Sequence, residues 1–191
     1  MKISNSERKL NNKGFSLLEL IITIAIMLIM VGAATVTVSM LDSSYVEDAE
    51  RGIKDYISMA RTKSMTVAAK DWYVSISKEG NTYYAYLNKI EEVAAAGGAG
   101  GTVDNHVQVD KIELGAKLSI KFGVDKTSMT TIDAASVLEL HFDSATGKIK
   151  NVVLNGNPQS ITGGIGYISI TRNDYKISLK VFMNTGKCER E

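Results

Sequence analysis

From Leu20 to Leu41 the chain carries no charged residue, a run of 22 positions built from Leu, Ile, Val, Met and Ala with a few small polar residues. As an α-helix this run rises about 33 Å, which matches the roughly 30 Å hydrocarbon core of a bilayer. Between Leu41 and Trp72 the pattern becomes amphipathic. Val46, Ala49, Ile53, Tyr56, Ile57, Ala60 and Val67 recur at three- and four-residue steps among Glu47, Asp48, Glu50, Arg51, Lys54 and Asp55. The two patterns predict one helix from about Leu17 to Ala69, apolar all round in its first half and striped in its second. Ser43, Ser44 or Gly52 could mark a bend, whereas a proline kink is excluded because the single proline is Pro158.

From Trp72 the period drops to two, and β-branched and aromatic residues dominate. Trp72–Ser77 reads as a strand, Lys78–Asn81 as a turn and Thr82–Leu87 as the hairpin partner. Further strands are predicted at Val107–Leu114, Lys117–Phe122, Val137–Phe142, Lys148–Leu154, Ile165–Thr171 and Lys176–Met183. Ser144–Gly147 and Arg172–Tyr175 supply turns between them. The expected fold is α+β: one long N-terminal helix, transmembrane in its first half, packed by its stripe on a C-terminal antiparallel sheet or sandwich of seven or eight strands. The glycine-rich segment 94–101 lacks a following Lys-Ser/Thr pair, so it reads as an inter-strand loop rather than a phosphate cradle.

Charge gives the chain an orientation. Lys2, Arg8, Lys9 and Lys13 against Glu7 make residues 1–14 strongly basic, and a positive flank stays on the cytoplasmic side of a membrane. The whole chain is formally +1, near neutrality, so no global signature of nucleic-acid binding is present. One local basic cluster is worth testing as a DNA contact: Lys176, Lys180, Lys187 and Arg190, beside Glu189 and Glu191. A solvated strand face is the plainer reading of that cluster. Cys188 has no partner in the chain, which rules out an intramolecular disulfide and leaves an exposed thiol or a link between chains.

Catalytic chemistry has little material. His106 and His141 lack neighbours at metal-ligand spacing, and His141, between Leu140 and Phe142, reads as the outward residue of a strand. Glu91, Glu92 and Glu113 stand in polar flanks, and no nucleophile motif such as Gly-x-Ser-x-Gly appears. We therefore expect no enzyme, no cofactor and no metal site.

Glu19 is the exception among the acids, because it stands at the mouth of the apolar run. A charge within a hydrocarbon-spanning segment costs roughly 2.5–3.5 kcal/mol at the centre and is usually retained for a function. The residues before it, Lys13-Gly14-Phe15-Ser16-Leu17-Leu18, complete a pattern. The stretch resembles the N-terminus of type IV prepilins and of the pseudopilins of type II secretion. In those families a basic leader ends in Gly, followed by Phe, Ser or Thr, two apolar residues, Glu and a long apolar helix.

The resemblance implies cleavage after Gly14 by a prepilin peptidase, which is also the N-methyltransferase, and methylation of the new terminus at Phe15. It implies residence in membrane lipid before assembly, with the N-terminus inside and the C-terminal portion outside. It also implies recruitment by an inner-membrane assembly platform, and assembly with other pilin or pseudopilin subunits into an extracellular filament. A freed α-amine titrates near ~7.7–8.0 and is mostly cationic at neutral pH. It would lie one helical turn from Glu19. In lipid that carboxylate needs a cation or donors, which a neighbouring subunit's amine could supply, setting an axial stagger. Glu19 is then an assembly residue. The alternatives are a secretory signal peptide, for which the run is too long, and a plain single-pass anchor.

A looser likeness concerns the helix end. Ile57-Ser58-Met59-Ala60-Arg61-Thr62-Lys63-Ser64-Met65 running into a strand resembles the H-type minor pseudopilins and FimT-like minor pilins, as does the closing pair of strands with Asn184-Thr185-Gly186-Lys187 after it. Major pilins often carry a proline in the apolar helix, and its absence here leans towards a minor subunit. The FimT likeness is what makes DNA a candidate partner. The expected organisation is a leader 1–14, a transmembrane and assembly helix 15–41, an amphipathic continuation 42–70 and an extracytoplasmic β-domain 71–191. The missing cysteine pair and the long leader lean towards a Gram-positive host.

Overall fold

The computed structural model describes residues 15–67, 71–94, 102–161 and 163–191, with the side chains of 33–39 outside that description. The leader 1–14, the helix extension over 68–70 and the glycine-rich loop over 95–101 therefore lie outside the described residues. The chain divides into two compact units, Met1–Met40 and Leu41–Glu191.

One helix, α1, spans Leu17–Thr66. In its first part every described side chain from Leu17 to Gly32 is exposed, in keeping with the all-round apolar pattern. Leu17–Gly32 rises only about 24 Å. Among the described residues no helix is long and apolar enough to cross a membrane. The expected transmembrane half of α1 is thus not matched there, since the remainder of the uncharged run falls on side chains 33–39.

The stripe in the second part of α1 behaves as its periodicity dictates. Val46, Ala49, Ile53, Tyr56, Ile57 and Ala60 are buried and join the core of the second unit. Val67 does not: it lies beyond the helix end and is 44% exposed. Gly52 faces the sheet at closest approach, where an added Cβ would come within 2.9 Å of the Leu114 side chain.

Among the described residues eleven strands form two antiparallel sheets. The first has the order β3-β2-β1-β6-β7-β8, and the second β11-β10-β9-β4-β5. They run β1 Asp71–Glu79, β2 Thr82–Ala94, β3 Thr102–Ala116, β4 Ser119–Gly123, β5 Thr130–Thr131 and β6 Leu138–Phe142, then β7 Ile149–Leu154, β8 Asn157–Pro158, β9 Ile165–Arg172, β10 Tyr175–Phe182 and β11 Lys187–Arg190. Inner-face residues of both sheets, among them Val74, Leu87, Leu140, Ile120, Ile168 and Leu179, share one core with the α1 stripe. The fold is α+β, an N-terminal helix packed on antiparallel sheets.

Three strands exceed the sequence expectation, and each has a pairing reason. β5 and β8 are two-residue edge strands, and Pro158 is tolerated in β8 because an edge strand can spare a donor. β11 pairs with β10 from Leu179↔Arg190 to Phe182↔Lys187 although its own residues are mostly polar. β2 and β3 are also much longer than their apolar cores, paired from Thr82↔Ala116 to Ala94↔Thr102 with two bulges. The tight turns fall where polar and glycine residues placed them. Asn173 takes φ +49° between β9 and β10, and Gly147 takes φ +66° between β6 and β7. In the latter turn Asp143 Oδ1 accepts from Thr146 Oγ1 and from the Ala145 and Thr146 amides, which holds its carboxyl below the usual carboxylate range.

Candidate functional site

Helix α1 begins with a defined cap. Ser16 Oγ accepts the Glu19 amide at 3.1 Å, and the Leu20 amide donates to the Ser16 carbonyl at 3.1 Å as the first helical bond. Ser16-Leu17-Leu18-Glu19 has the spacing of a capping box, in which a hydroxyl at the N-cap serves the third helical residue and an acid or amide occupies that position. Glu19 also lies in the first turn, where the helix dipole favours a negative charge. The motif residues therefore have a local structural role that the sequence reading did not assign. Thr23 Oγ1 donates to the Leu20 carbonyl at 2.9 Å, absorbing one small hydroxyl of the apolar run. Phe15, just before the cap, is 79% exposed. Gly14, the residue before the expected cut, lies outside the described residues.

This geometry presents an exposed Phe15 followed by a helix segment, Leu17–Gly32, whose described side chains are exposed and almost all apolar. Ile29 is 71% exposed, as are similar fractions of Leu28 and Met30. Such a continuous exposed surface is not left to water in a folded chain without something to cover it.

The four bases singled out as a DNA contact are not brought together. Lys176 and Lys180 alternate along β10 on the outer face of the second sheet, but Lys180 Nζ lies 3.2 Å from Glu191. Arg190 faces the opposite way, towards α1, with Nη1 3.5 Å from Glu50 and Nη2 donating to Tyr175 Oη at 3.5 Å. Lys187 lies beside α1 in a cleft with Lys54 and Arg61. What joins Lys176 instead is a shallow cleft with Lys121, Lys126, Ser169 and Thr171. Lys126 pairs with Glu191, whose carboxyl is held low first by that contact. Lys121 and Lys126, distant from Lys176 in sequence, thus complete the outer-face patch, and no local sequence signal pointed to them.

Two further expectations change. His141 does lie opposite the buried Leu140 and Phe142, yet it is itself buried, because the Tyr73 ring of β1 stacks on it at 4.5 Å. Its Nε2 lies 3.1 Å from Glu139 Oε2, and Tyr73 Oη lies 2.9 Å from His106 Nδ1. Burial, aided by the Glu139 charge, pushes the Tyr73 hydroxyl up to about 12. Cys188 is not a simple exposed thiol. It packs against the core, and burial pushes its thiol up to about 12, far from a reactive thiolate. Glu91 is paired with Lys89 on the same strand.

Residues 9–35 match the prokaryotic N-terminal methylation motif. That match supports a type IV prepilin-like chain, a substrate of prepilin peptidase that assembles with pilin subunits. It covers the end of the leader, Phe15, Glu19 and the start of α1, and not the β-rich part. No curated protein and no solved structure matches the chain.

Proposed function

We propose that this chain is a structural subunit, a minor pilin or pseudopilin, of a type IV pilus or a type II secretion-like filament. It is cut after Gly14 by a prepilin peptidase and methylated on Phe15, and it polymerises through the first half of α1. The observation that carries this reading is the methylation motif over residues 9–35 laid on a helix segment whose described side chains are all exposed and almost all apolar. Before assembly the run Leu20–Leu41 rests in the cytoplasmic membrane, with the β-domain outside. On assembly Glu19 pairs with the N-terminal amine of a neighbour. Its part is electrostatic and not catalytic, and we place no enzyme activity on the chain.

Intact mass and N-terminal peptide mass of the membrane-extracted protein, with and without a prepilin peptidase, test the processing step. Loss of residues 1–14 with one methyl on Phe15, dependent on the peptidase, is expected. A chain that keeps Gly14 bonded to Phe15 in both samples makes it a plain anchor. Gly14→Leu should abolish cutting, while Gly14→Ala retains some.

The cap geometry sharpens the Glu19 test. Glu19→Val removes both the charge and the favoured residue of the capping box, whereas Glu19→Gln keeps the box and removes the charge. If inter-subunit pairing is the role, both variants insert in the membrane and both fail to enter filaments. Incorporation of Glu19→Gln at the normal level would sink the pairing and leave only helix capping.

A second reading, a binding module at a filament tip, draws on the outer-face patch of Lys121, Lys126 and Lys176. DNA is its natural probe. Salt-dependent DNA retention that falls when these lysines are changed to Gln favours it, and retention equal in variant and parent removes it.

A further inference from the structure

Beside the second half of α1 lies a cleft of about 350 Å³ lined by Lys54, Ser58, Arg61 and Lys187, with the acids Asp55 and Glu189 at its walls. Arg61 is the unusual member. Its Nε is buried and has no hydrogen-bond partner, and among the described residues its guanidinium makes no ion pair. A guanidinium offers five donors in a fixed planar fork, and leaving a buried donor unmet is costly. Lys54, by contrast, is already held by Glu50 at 3.6 Å.

The stem of Arg61 is seated by two glycine turns. A Cβ at Gly147 would meet its Cγ at 3.1 Å, and a Cβ at Gly186 would meet its Cδ at 3.1 Å. Both glycines take left-handed φ, +66° and +64°, and a Cβ at Gly186 would also come within 2.1 Å of the Gly147 carbonyl oxygen. Bare backbone at both turns leaves the room in which the arginine lies. The long side chain of this cleft-lining residue is thus wedged by its aliphatic part, with its Nε unsatisfied.

We infer that this cleft is a receptor for a planar or tetrahedral oxyanion, a carboxylate or a phosphate, gripped by the Arg61 fork with Lys187 and the Ser58 hydroxyl at its rim. Arginine is the side chain whose fork fits such groups bidentately, and the cleft has the volume of a site for a group of amino-acid size. Asp55 and Glu189 limit the net positive charge, so recognition depends on the fork and not on a bulk field. The inference stands on the β-rich unit alone and is independent of how the N-terminus is processed.

The test uses the full-length chain in a non-ionic detergent, labelled with ¹⁵N in its arginines. The Nε–Hε signal of Arg61, assigned by its disappearance in Arg61→Lys, is followed while N-acetylglutamate or inorganic phosphate is added, with exposed Arg51 as the internal control. A saturable shift of Arg61 with either anion is expected, and the tighter of the two identifies the source. The affinity should fall about tenfold or more in Arg61→Lys, read by calorimetry, because a lysine cannot reproduce the fork. Lys187→Gln, at an exposed position, should weaken binding several-fold and covers the case in which the Arg61 variant does not fold. An Arg61 signal that drifts without saturation, in step with Arg51, for both anions overturns the proposal.

Discussion

Helix α1 contains two surfaces of opposite fate. From Leu17 to Gly32 its apolar residues are exposed on every side, while from Val46 to Ala60 its apolar residues are buried along a single stripe. The backbone is the same regular helix in both parts. What differs is the pattern: a stripe can be satisfied by one sheet of the same chain, whereas an all-round apolar surface cannot. The second part therefore belongs to the fold of the β-rich unit, while the described side chains of the first part stay exposed. The methylation motif, residues 9–35, covers the first part and ends in sequence before the second begins.

The comparison is broken most directly by matched truncations. Ile53 is fully buried in the stripe, and Ile26 is half exposed in the apolar part. Ile53→Ala should destabilise the detergent-solubilised chain by about 2–5 kcal/mol, from the lost transfer energy and the cavity left behind. Ile26→Ala should change it by no more than about 0.5 kcal/mol. Urea unfolding of the two variants against the parent decides the matter. Equal losses would mean that the apolar part also takes part in the cooperative fold.

A charge inserted in the apolar part sharpens the other side. Ile26→Lys should oppose membrane residence by roughly 2.5–3.5 kcal/mol while leaving the unfolding of the β-rich unit unchanged. The fraction retained in membranes after alkaline extraction reads it. Release of the parent itself at alkaline pH, to the same extent as the variant, would show that Leu20–Leu41 does not lie in hydrocarbon.

These contrasts were largely visible in the sequence, because periodicity reports what each face of a helix must meet. The β1–β2, β6–β7 and β9–β10 hairpins were also visible, since Gly80-Asn81, Ser144–Gly147 and Asn173-Asp174 are residues that accept tight turns. What escaped is what long-range pairing creates. β11 carries Lys187, Glu189 and Arg190, with no apolar alternation to announce it, and exists because β10 offers it an edge. The first half of β3 is polar and is drawn out by β2. The candidate site divides in the same way. Gly14, Phe15 and Glu19 form a contiguous motif legible in sequence. The neutralisation of Lys180 by the last residue, the shielding of His141 by Tyr73 and the seating of Arg61 by Gly147 and Gly186 each join distant segments.

The smallest expected effect lies where the uncharged run ends. Asp42 is the first charge after Glu19, and it is buried within the β-rich unit. Its Oδ2 accepts from Asn173 Nδ2 at 2.6 Å, and its Oδ1 accepts from Arg172 Nε at 2.7 Å. The bond from Asn173, joined by the Arg172 guanidinium, holds the carboxyl below the usual range against the opposing effect of burial. A depressed folded-state pKa contributes stability that is present above the unfolded value of about 3.9 and is lost as pH falls through the folded one. Asp42→Asn should therefore be less stable than the parent at neutral pH, and the gap should close as pH drops below about 4. Other carboxyls held low, Asp125, Asp133 and Asp143 among them, weaken both proteins together in acid, so the difference isolates Asp42. Urea midpoints of the pair at pH 7 and near pH 3 measure it. A gap of unchanged size in acid would mean that the Asp42 charge is not what ties the helix to the β9–β10 turn, and that packing alone marks where the stripe begins.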